Sequence, residues 1–244
     1  MTLDEFSEVI QKIKGYTNYI YLHLKGEPLM HPNFREILEV CNKEKINVNL
    51  TTNATLLSKF KDVLLENECV RQVNISAHAL PFIKNMDKED YLNTVVDFIK
   101  ENEKHLSLYI SFRLWIKNRE LNNYIFEFLS RKFNKEFNES SKKIASNAFF
   151  SFSEEFEWPN LEHEVVSLKG RCLGTFTHIA ILANGDVTPC CLDSNGSEVL
   201  GNIFENSLEE ILQGEKFRII HEGFLKNELR SNLCKRCTYR TRFK

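Results

Sequence analysis

Apolar positions along the chain switch repeatedly between a helical and a strand period. Leu3, Phe6, Val9, Ile10 and Ile13 recur on one helical face, behind a capping box at Thr2-Leu3-Asp4-Glu5. Tyr19 to Leu24 reads as a strand, followed by the loop Lys25-Gly26-Glu27-Pro28. Asn33 opens a helix whose face is Phe34, Ile37, Leu38 and Cys41, and Ile46 to Thr52 is the next strand. Leu56, Leu57, Phe60, Val63 and Leu64 mark a helix, Gln72 to Ser76 a strand, and Tyr91, Leu92, Val95, Val96 and Ile99 a helix. A strand at Leu108 to Leu114, a helix through Leu121, Tyr124, Ile125, Phe128 and Leu129, and a strand at Ala148 to Phe152 complete the run. Helix and strand in strict alternation predict an α/β fold with a parallel sheet. Trp158-Pro159-Asn160 breaks the pattern. The predicted division is therefore a sheet domain over 1–158 and a smaller domain over 159–244.

Each strand has one apolar and one polar face. Ile20, Leu22 and Leu24 alternate with Tyr19, Tyr21 and His23, and Ile46, Val48 and Leu50 with Asn47, Asn49 and Thr51. Val73 and Ile75 alternate with Gln72, Asn74 and Ser76, and Leu108, Ile110 and Phe112 with Tyr109, Ser111 and Arg113. Parallel strands covered on both faces read as continuous apolar runs, and a closed small barrel fills its interior with branched apolar side chains. A polar face instead predicts an open, wider partial barrel around a polar ligand; the plainer alternative is a sheet with helices on one side and water on the other. Glu27 falls at the C-terminal end of the first strand, where α/β barrels place their chemistry. By itself Gly-Glu-Pro is usually only a turn.

Past residue 158 the pattern gives way to cysteines. Gly170 to Cys191 reads G-R-C-L-G-T-F-T-H-I-A-I-L-A-N-G-D-V-T-P-C-C, and C-K-R-C follows at Cys234 to Cys237, so five of the seven cysteines fall here. Thr177 to Leu182 and Val187 to Cys190 predict a hairpin, with Asn184-Gly185 the dipeptide that a type I′ turn prefers. The hairpin sets Cys190 beside the incoming strand, Cys172 folds back at Gly174, and the C-x-x-C loop closes the site. A capping box at Ser207-Leu208-Glu209-Glu210 opens a helix with Leu208, Ile211, Leu212 and Phe217 on its face, which returns Cys234 and Cys237 to the hairpin. Thiolates gathered this way in an intracellular protein point to a metal rather than to disulfides. Four of them suit tetrahedral zinc or an iron–sulfur cluster, and spacing does not choose between the two. Cys191 is a spare thiol, and Cys41 and Cys69 read as core.

Composition adds boundaries. Hydrophobic residues make up 42% of 244 residues, 19 of them Phe, enough for a sizeable core. Charged residues at 27% and a net charge of -2 give no reason to expect a nucleic-acid or membrane partner. No apolar run is long enough to span a bilayer and no signal peptide is visible, so the expected location is cytoplasmic. The tail carries Lys235, Arg236, Arg240, Arg242 and Lys244 without an acid; it reads as a solvated end or a positive rim around an anionic cluster.

These motifs resemble those of a known superfamily. Y-L-H-L-K-G-E-P-L-M-H-P looks like the second strand and GEP motif of radical S-adenosylmethionine enzymes, T-T-N-A-T-L-L like their third-strand end and N-I-S-A-H like their fourth. G-R-C, A-N-G-D-V-T-P-C-C, L-G-N-I-F-E-N-S-L-E-E-I and C-K-R-C together resemble the appended SPASM/twitch domain. The resemblance implies a six-stranded open (β/α) barrel, seen here as a partial barrel without its first strand. It implies that Gly26, Glu27 and Pro28 form the loop that holds the methionine amino group of S-adenosylmethionine, and that Ser76 and Arg113 contact its ribose or carboxylate. It implies one auxiliary [4Fe-4S] cluster on Cys172, Cys190, Cys234 and Cys237, the single-cluster twitch form. The implied partners are a peptide or small-molecule substrate and a reductant protein such as flavodoxin or ferredoxin. The superfamily's C-x3-C-x2-C motif is absent from the sequence. Either Met1 is an internal methionine of a longer chain, the preferred explanation, or the protein is a degenerate member that binds or carries electrons without radical chemistry. A zinc-stabilised α/β protein is the third alternative, and no catalytic residue is assigned.

Overall fold

The structure, a computed structural model, describes residues 1–105, 108–115, 118–154 and 156–243; Lys244 of the basic tail lies outside them. The chain forms two compact units, Tyr16–Glu155 and Met1–Gly15 with Phe156–Lys244.

The first unit is the α/β sheet. Its elements run β1 (Tyr19–Leu22), α2 (Phe34–Lys43), β2 (Asn47–Thr52), α3 (Leu57–Glu66), β3 (Val70–Ser76), α4 (Lys88–His105), β4 (Tyr109–Leu114), α5 (Arg119–Phe133), β5 (Lys143–Ala145) and β6 (Ala148–Phe152), counting as α1 the helix Leu3–Ile13 of the other unit. The strand order is β1-β2-β3-β4-β6-β5. All neighbours pair in parallel except β5, which returns antiparallel on β6. The five predicted strands are all present; β5 is the addition, too short at three residues to show a period.

The two faces separate as the alternation requires. Val48, Leu50, Val73, Ile75, Ile110, Phe112, Ala148 and Phe150 are buried, as are Phe34, Leu38, Leu64, Leu92, Val95, Ile125 and Leu129 of the helices. Phe150 centres an aromatic cluster, with ring centroids 5.5 Å from Phe137, 5.6 Å from Phe126, 5.7 Å from Phe152 and 6.1 Å from Phe112. On the other face, register aligns Tyr21, Asn49, Gln72 and Tyr109 in one row and Thr51, Asn74 and Ser111 in the next. Side chains tie these rows together: Gln72 Nε2 donates to Asn74 Oδ1 at 2.7 Å, and Asn74 Nδ2 to the Leu50 carbonyl at 3.0 Å. Cys41 and Cys69 lie in the core as expected.

The second unit joins α1 to the C-terminal segment. The sequence grouped α1 with the strands, but Lys12 Nζ donates to the Ile203 carbonyl at 2.6 Å. Thr2 and Glu5 form the expected reciprocal cap. A three-stranded antiparallel sheet follows, β7 (Ala180–Ile181), β8 (Asp186–Thr188) and β9 (Gly201–Asn202). The hairpin is not the type I′ turn expected. Gly185 has φ +87 while Asn184 is not among the residues with positive φ, and Leu182 N–H bonds to the Asp186 carbonyl around a three-residue loop. The Asn184 side chain decides this by accepting the Asp186 N–H at 3.2 Å and donating to Asp186 Oδ2 at 2.7 Å. The predicted single helix is two, α6 (Leu208–Gln213) and α7 (Glu215–Leu225), broken at Gly214; α8 (Asn232–Lys235) carries the last cysteines.

Candidate ligand loop and metal centre

In the sheet unit, β1 leads into Gly26, which takes φ +105, and Glu27, which caps a 3-10 turn at Pro28–Met30. The Glu27 carboxylate stitches this loop to the end of β2. Oε1 accepts from Thr52 Oγ1 at 2.7 Å and Leu29 N–H at 3.2 Å, and Oε2 accepts from Asn53 N–H at 2.7 Å. A carboxylate has about four acceptor sites, so Oε2 retains one for an ammonium group. Thr52 in turn accepts the Ala54 N–H, and Asn53 accepts the Thr55 N–H and hydroxyl. The Gly-Glu-Pro and Thr-Thr-Asn segments are thus one hydrogen-bonded structure. Tyr91 of α4 lies within electrostatic reach of Glu27; burial first, and the carboxylate second, push its phenol up.

Ser76, Arg113 and Ser151 share one row at the C-terminal ends of β3, β4 and β6. The Arg113 guanidinium lies 4.8 Å over the Trp115 ring, which stacks on His78 at 6.2 Å and donates through Nε1 to Ser151 Oγ at 3.3 Å. Sequence reasoning named Ser76 and Arg113 and missed His78, Trp115 and Ser151. Trp115 was legible in principle, two residues beyond Arg113 and so on the same face.

In the second unit the cysteines approach from two segments. Thr175 takes φ +66, and its N–H is shared between the carbonyls of His178 at 3.0 Å and Pro189 at 3.2 Å. That folds 172–178 against the end of β8. Gly174 permits the approach, since a Cβ there would lie 3.2 Å from the Pro189 carbonyl oxygen, 3.4 Å from Cys190 Cβ and 3.7 Å from Cys172 Sγ. On the other segment, Ser231 Oγ accepts the Cys234 N–H at 3.1 Å and donates to Glu198 Oε1 at 2.8 Å. Leu233 N–H reaches the same Glu198 oxygen at 3.2 Å. Buried Asp193 fixes that glutamate's loop by accepting the Ser197 and Glu198 N–H groups, both at 2.8 Å. Asp193 therefore holds a turn, and His178 lies on the surface.

No cysteine is in a disulfide. Burial pushes the thiols of Cys172, Cys190, Cys234 and Cys237 up, Cys234 to about 12. Their mutual repulsion adds to this: Cys190 feels Cys234, Cys191 and Cys172, and Cys234 feels Cys172 and Cys237. Against it, backbone N–H groups point at the sulfurs, from Gly174 (3.4 Å) and Leu173 at Cys172, Leu192 at Cys190, and Arg240 and Tyr239 at Cys237. Such donors stabilise thiolate rather than thiol. Among the described residues, no three His, Cys, Asp or Glu side chains already converge on a metal-sized point. Thiolate is the donor type that soft metals and iron–sulfur clusters take.

Residues 172–238 match the model of SPASM, an iron-sulfur cluster-binding domain. The C-terminal segment is a SPASM domain. No curated protein matches the chain by sequence. Among solved structures, BtrN in an open conformation is 16% identical with a TM-score of 0.53, over 98% of this chain and 80% of its own. Streptococcus suis SuiB is 14% identical with a TM-score of 0.59, over 91% of this chain and 62% of its own. The fold is thus the one seen in BtrN and SuiB, with a C-terminal segment that matches the SPASM model. The same two proteins have been solved with AdoMet and 2-DOIA, in the case of BtrN, and with S-adenosylmethionine or the precursor peptide SuiA, in the case of SuiB. The SPASM domain takes in Cys172, Cys190, Cys191, Cys234 and Cys237.

Proposed function

We propose that this chain is the greater part of a radical S-adenosylmethionine enzyme of the single-cluster twitch form, oxidising a peptide or small polar substrate in the cytoplasm. The thiol centre in the SPASM domain carries the reading: four sulfurs from two segments, with N–H donors directed at three of them. Cys172, Cys190, Cys234 and Cys237 would hold one auxiliary [4Fe-4S] cluster, which when bound supplies a one-electron acceptor for the substrate radical.

In the sheet unit, Gly26, Glu27 and Pro28 shape the loop that binds S-adenosylmethionine. Glu27 orients it through Thr52 and Asn53 and offers Oε2 to the methionine ammonium. Arg113, steadied by the Trp115 ring, supplies a fixed positive charge for the methionine carboxylate, and Ser76 beside it a hydroxyl for the ribose. The polar rows of the sheet provide hydrogen-bonding groups for a polar substrate. S-adenosylmethionine in both BtrN and SuiB, and the SuiA peptide in SuiB, support this choice of ligand classes. The reaction class is hydrogen abstraction by a 5′-deoxyadenosyl radical, with a reductant such as flavodoxin or ferredoxin as electron donor. Its first-cluster ligands are not in these 244 residues, which contain no C-x3-C-x2-C. A second reading is an electron-transfer protein with the same auxiliary cluster.

The test is the iron, sulfide and zinc content of the chain purified without oxygen, beside a Cys234→Ala variant. About four irons and four sulfides per chain, lost in the variant, are expected. One zinc without sulfide would move the site to a structural role and remove the redox reading.

A further inference from the structure

Arg240 lies in the last 3-10 turn, Tyr239–Arg242, and is only 6% exposed. Its Nε donates to the Cys234 carbonyl at 3.2 Å, and its backbone N–H points at Cys237 Sγ. The other end of its guanidinium rests on Gly170, two residues before Cys172. A Cβ on Gly170 would run into Nη1 and stand 3.2 Å from Cζ, and the residue has φ +151. The glycine is therefore the socket that admits the side chain. One buried cation thus spans both cysteine-bearing segments, and its charge reaches Cys172 as well as Cys237. None of the ion pairs among the described residues involves Arg240.

A guanidinium taken out of water requires a compensating anion. Four thiolates around four irons and four sulfides provide one: in the oxidised state they carry a net negative charge, and reduction adds one electron to it. A fixed positive charge alongside stabilises the more negative state. We infer that Arg240 is a built-in counter-charge of the SPASM metal centre, a positioning residue that raises its reduction potential and makes it a better electron acceptor. Glu198 beside Cys234 has the opposite sign, but Ser231 and Leu233 occupy it as a cap. Arg240, by contrast, contacts both segments directly. The inference rests on the cluster reading above.

The test is a redox titration of the auxiliary cluster in the whole chain, followed by electron paramagnetic resonance, with iron and sulfide assayed on each sample. Arg240→Gln is expected to keep its iron and sulfide and to become about tenfold harder to reduce, a shift of about 59 mV to more negative potential for one electron. Arg240→Lys, which keeps the charge, is expected to keep most of the wild-type potential. A fully loaded Arg240→Gln chain with the wild-type potential overturns the inference while leaving the cluster reading intact. Absence of sulfide from the wild-type chain removes both. Should Arg240→Gln fail to load, assembly and potential restored by Arg240→Lys support the charge. A lysine variant equally empty assigns Arg240 to packing and overturns it.

Discussion

At the scale of single residues, the informative groups are buried polar atoms whose partners are missing or unusual. The Tyr91 hydroxyl is fully buried and makes no hydrogen bond, and burial together with Glu27 pushes its phenol up. A buried hydroxyl without a partner costs about 1–3 kcal/mol, so Tyr91→Phe should leave stability unchanged or raise it by about 1 kcal/mol in urea denaturation. A loss of more than about 1 kcal/mol would mean that the hydroxyl is bonded in solution. Both polar atoms of Asn49 are likewise buried and unbonded, in the row between Tyr21 and Gln72. Neither feature is visible in the sequence, where Tyr91 reads as one more apolar position of α4 and Asn49 as one more polar position of β2. Burial depends on what the rest of the chain brings against a residue, and periodicity does not carry that.

At the scale of elements, the caps follow directly from local sequence. Ser207 and Glu210 form a full capping box at α6. The Ser207 backbone N–H, and then its hydroxyl, hold the Glu210 carboxyl below the usual range. A carboxyl depressed in the folded state stabilises above its unfolded pKa and loses that contribution as pH falls through the folded value. Ser207→Ala should therefore destabilise the chain more at neutral pH than near pH 3, read by denaturation at the two pH values. In the sheet, β4, β6 and α5 are joined by the aromatic cluster around Phe150, itself 7% exposed. Phe150→Ala should cost about 3–5 kcal/mol and lower the melting temperature of the sheet unit; a cost under about 1 kcal/mol would mean the site collapses freely. Elements the sequence misjudged were those with too little chain to show a period, or with a break inside one. The strand β5 is three residues long, and Gly214 divides what reads as one amphipathic helix into α6 and α7.

At the scale of the whole molecule, a sheet unit folded as in BtrN and SuiB and a segment matching the SPASM model lie on one chain, while the C-x3-C-x2-C ligands of the proposed first cluster are not among its 244 residues. Without an iron site open to S-adenosylmethionine, this chain with dithionite should bind the cofactor but release no 5′-deoxyadenosine above background by liquid chromatography. A burst of about one equivalent would show that another site cleaves it and would undo the proposed division of labour.

The sequence by itself determined the alternation of elements, which face of each strand is apolar, both capping boxes, and the gathering of five cysteines past residue 158. Each of these depends on neighbours within a turn or a short loop, and a linear pattern records such neighbours fully. Only the tertiary structure decided that Glu27 is held by Thr52 and Asn53, that Trp115 lies under Arg113, and that α1 groups with the C-terminal segment. It alone brought Arg240 against Gly170, 70 residues earlier by their numbers, in a tail whose charges read as one solvated run. Contacts of that kind are selected by the shape and charge of segments far apart in the chain, and no local period encodes them.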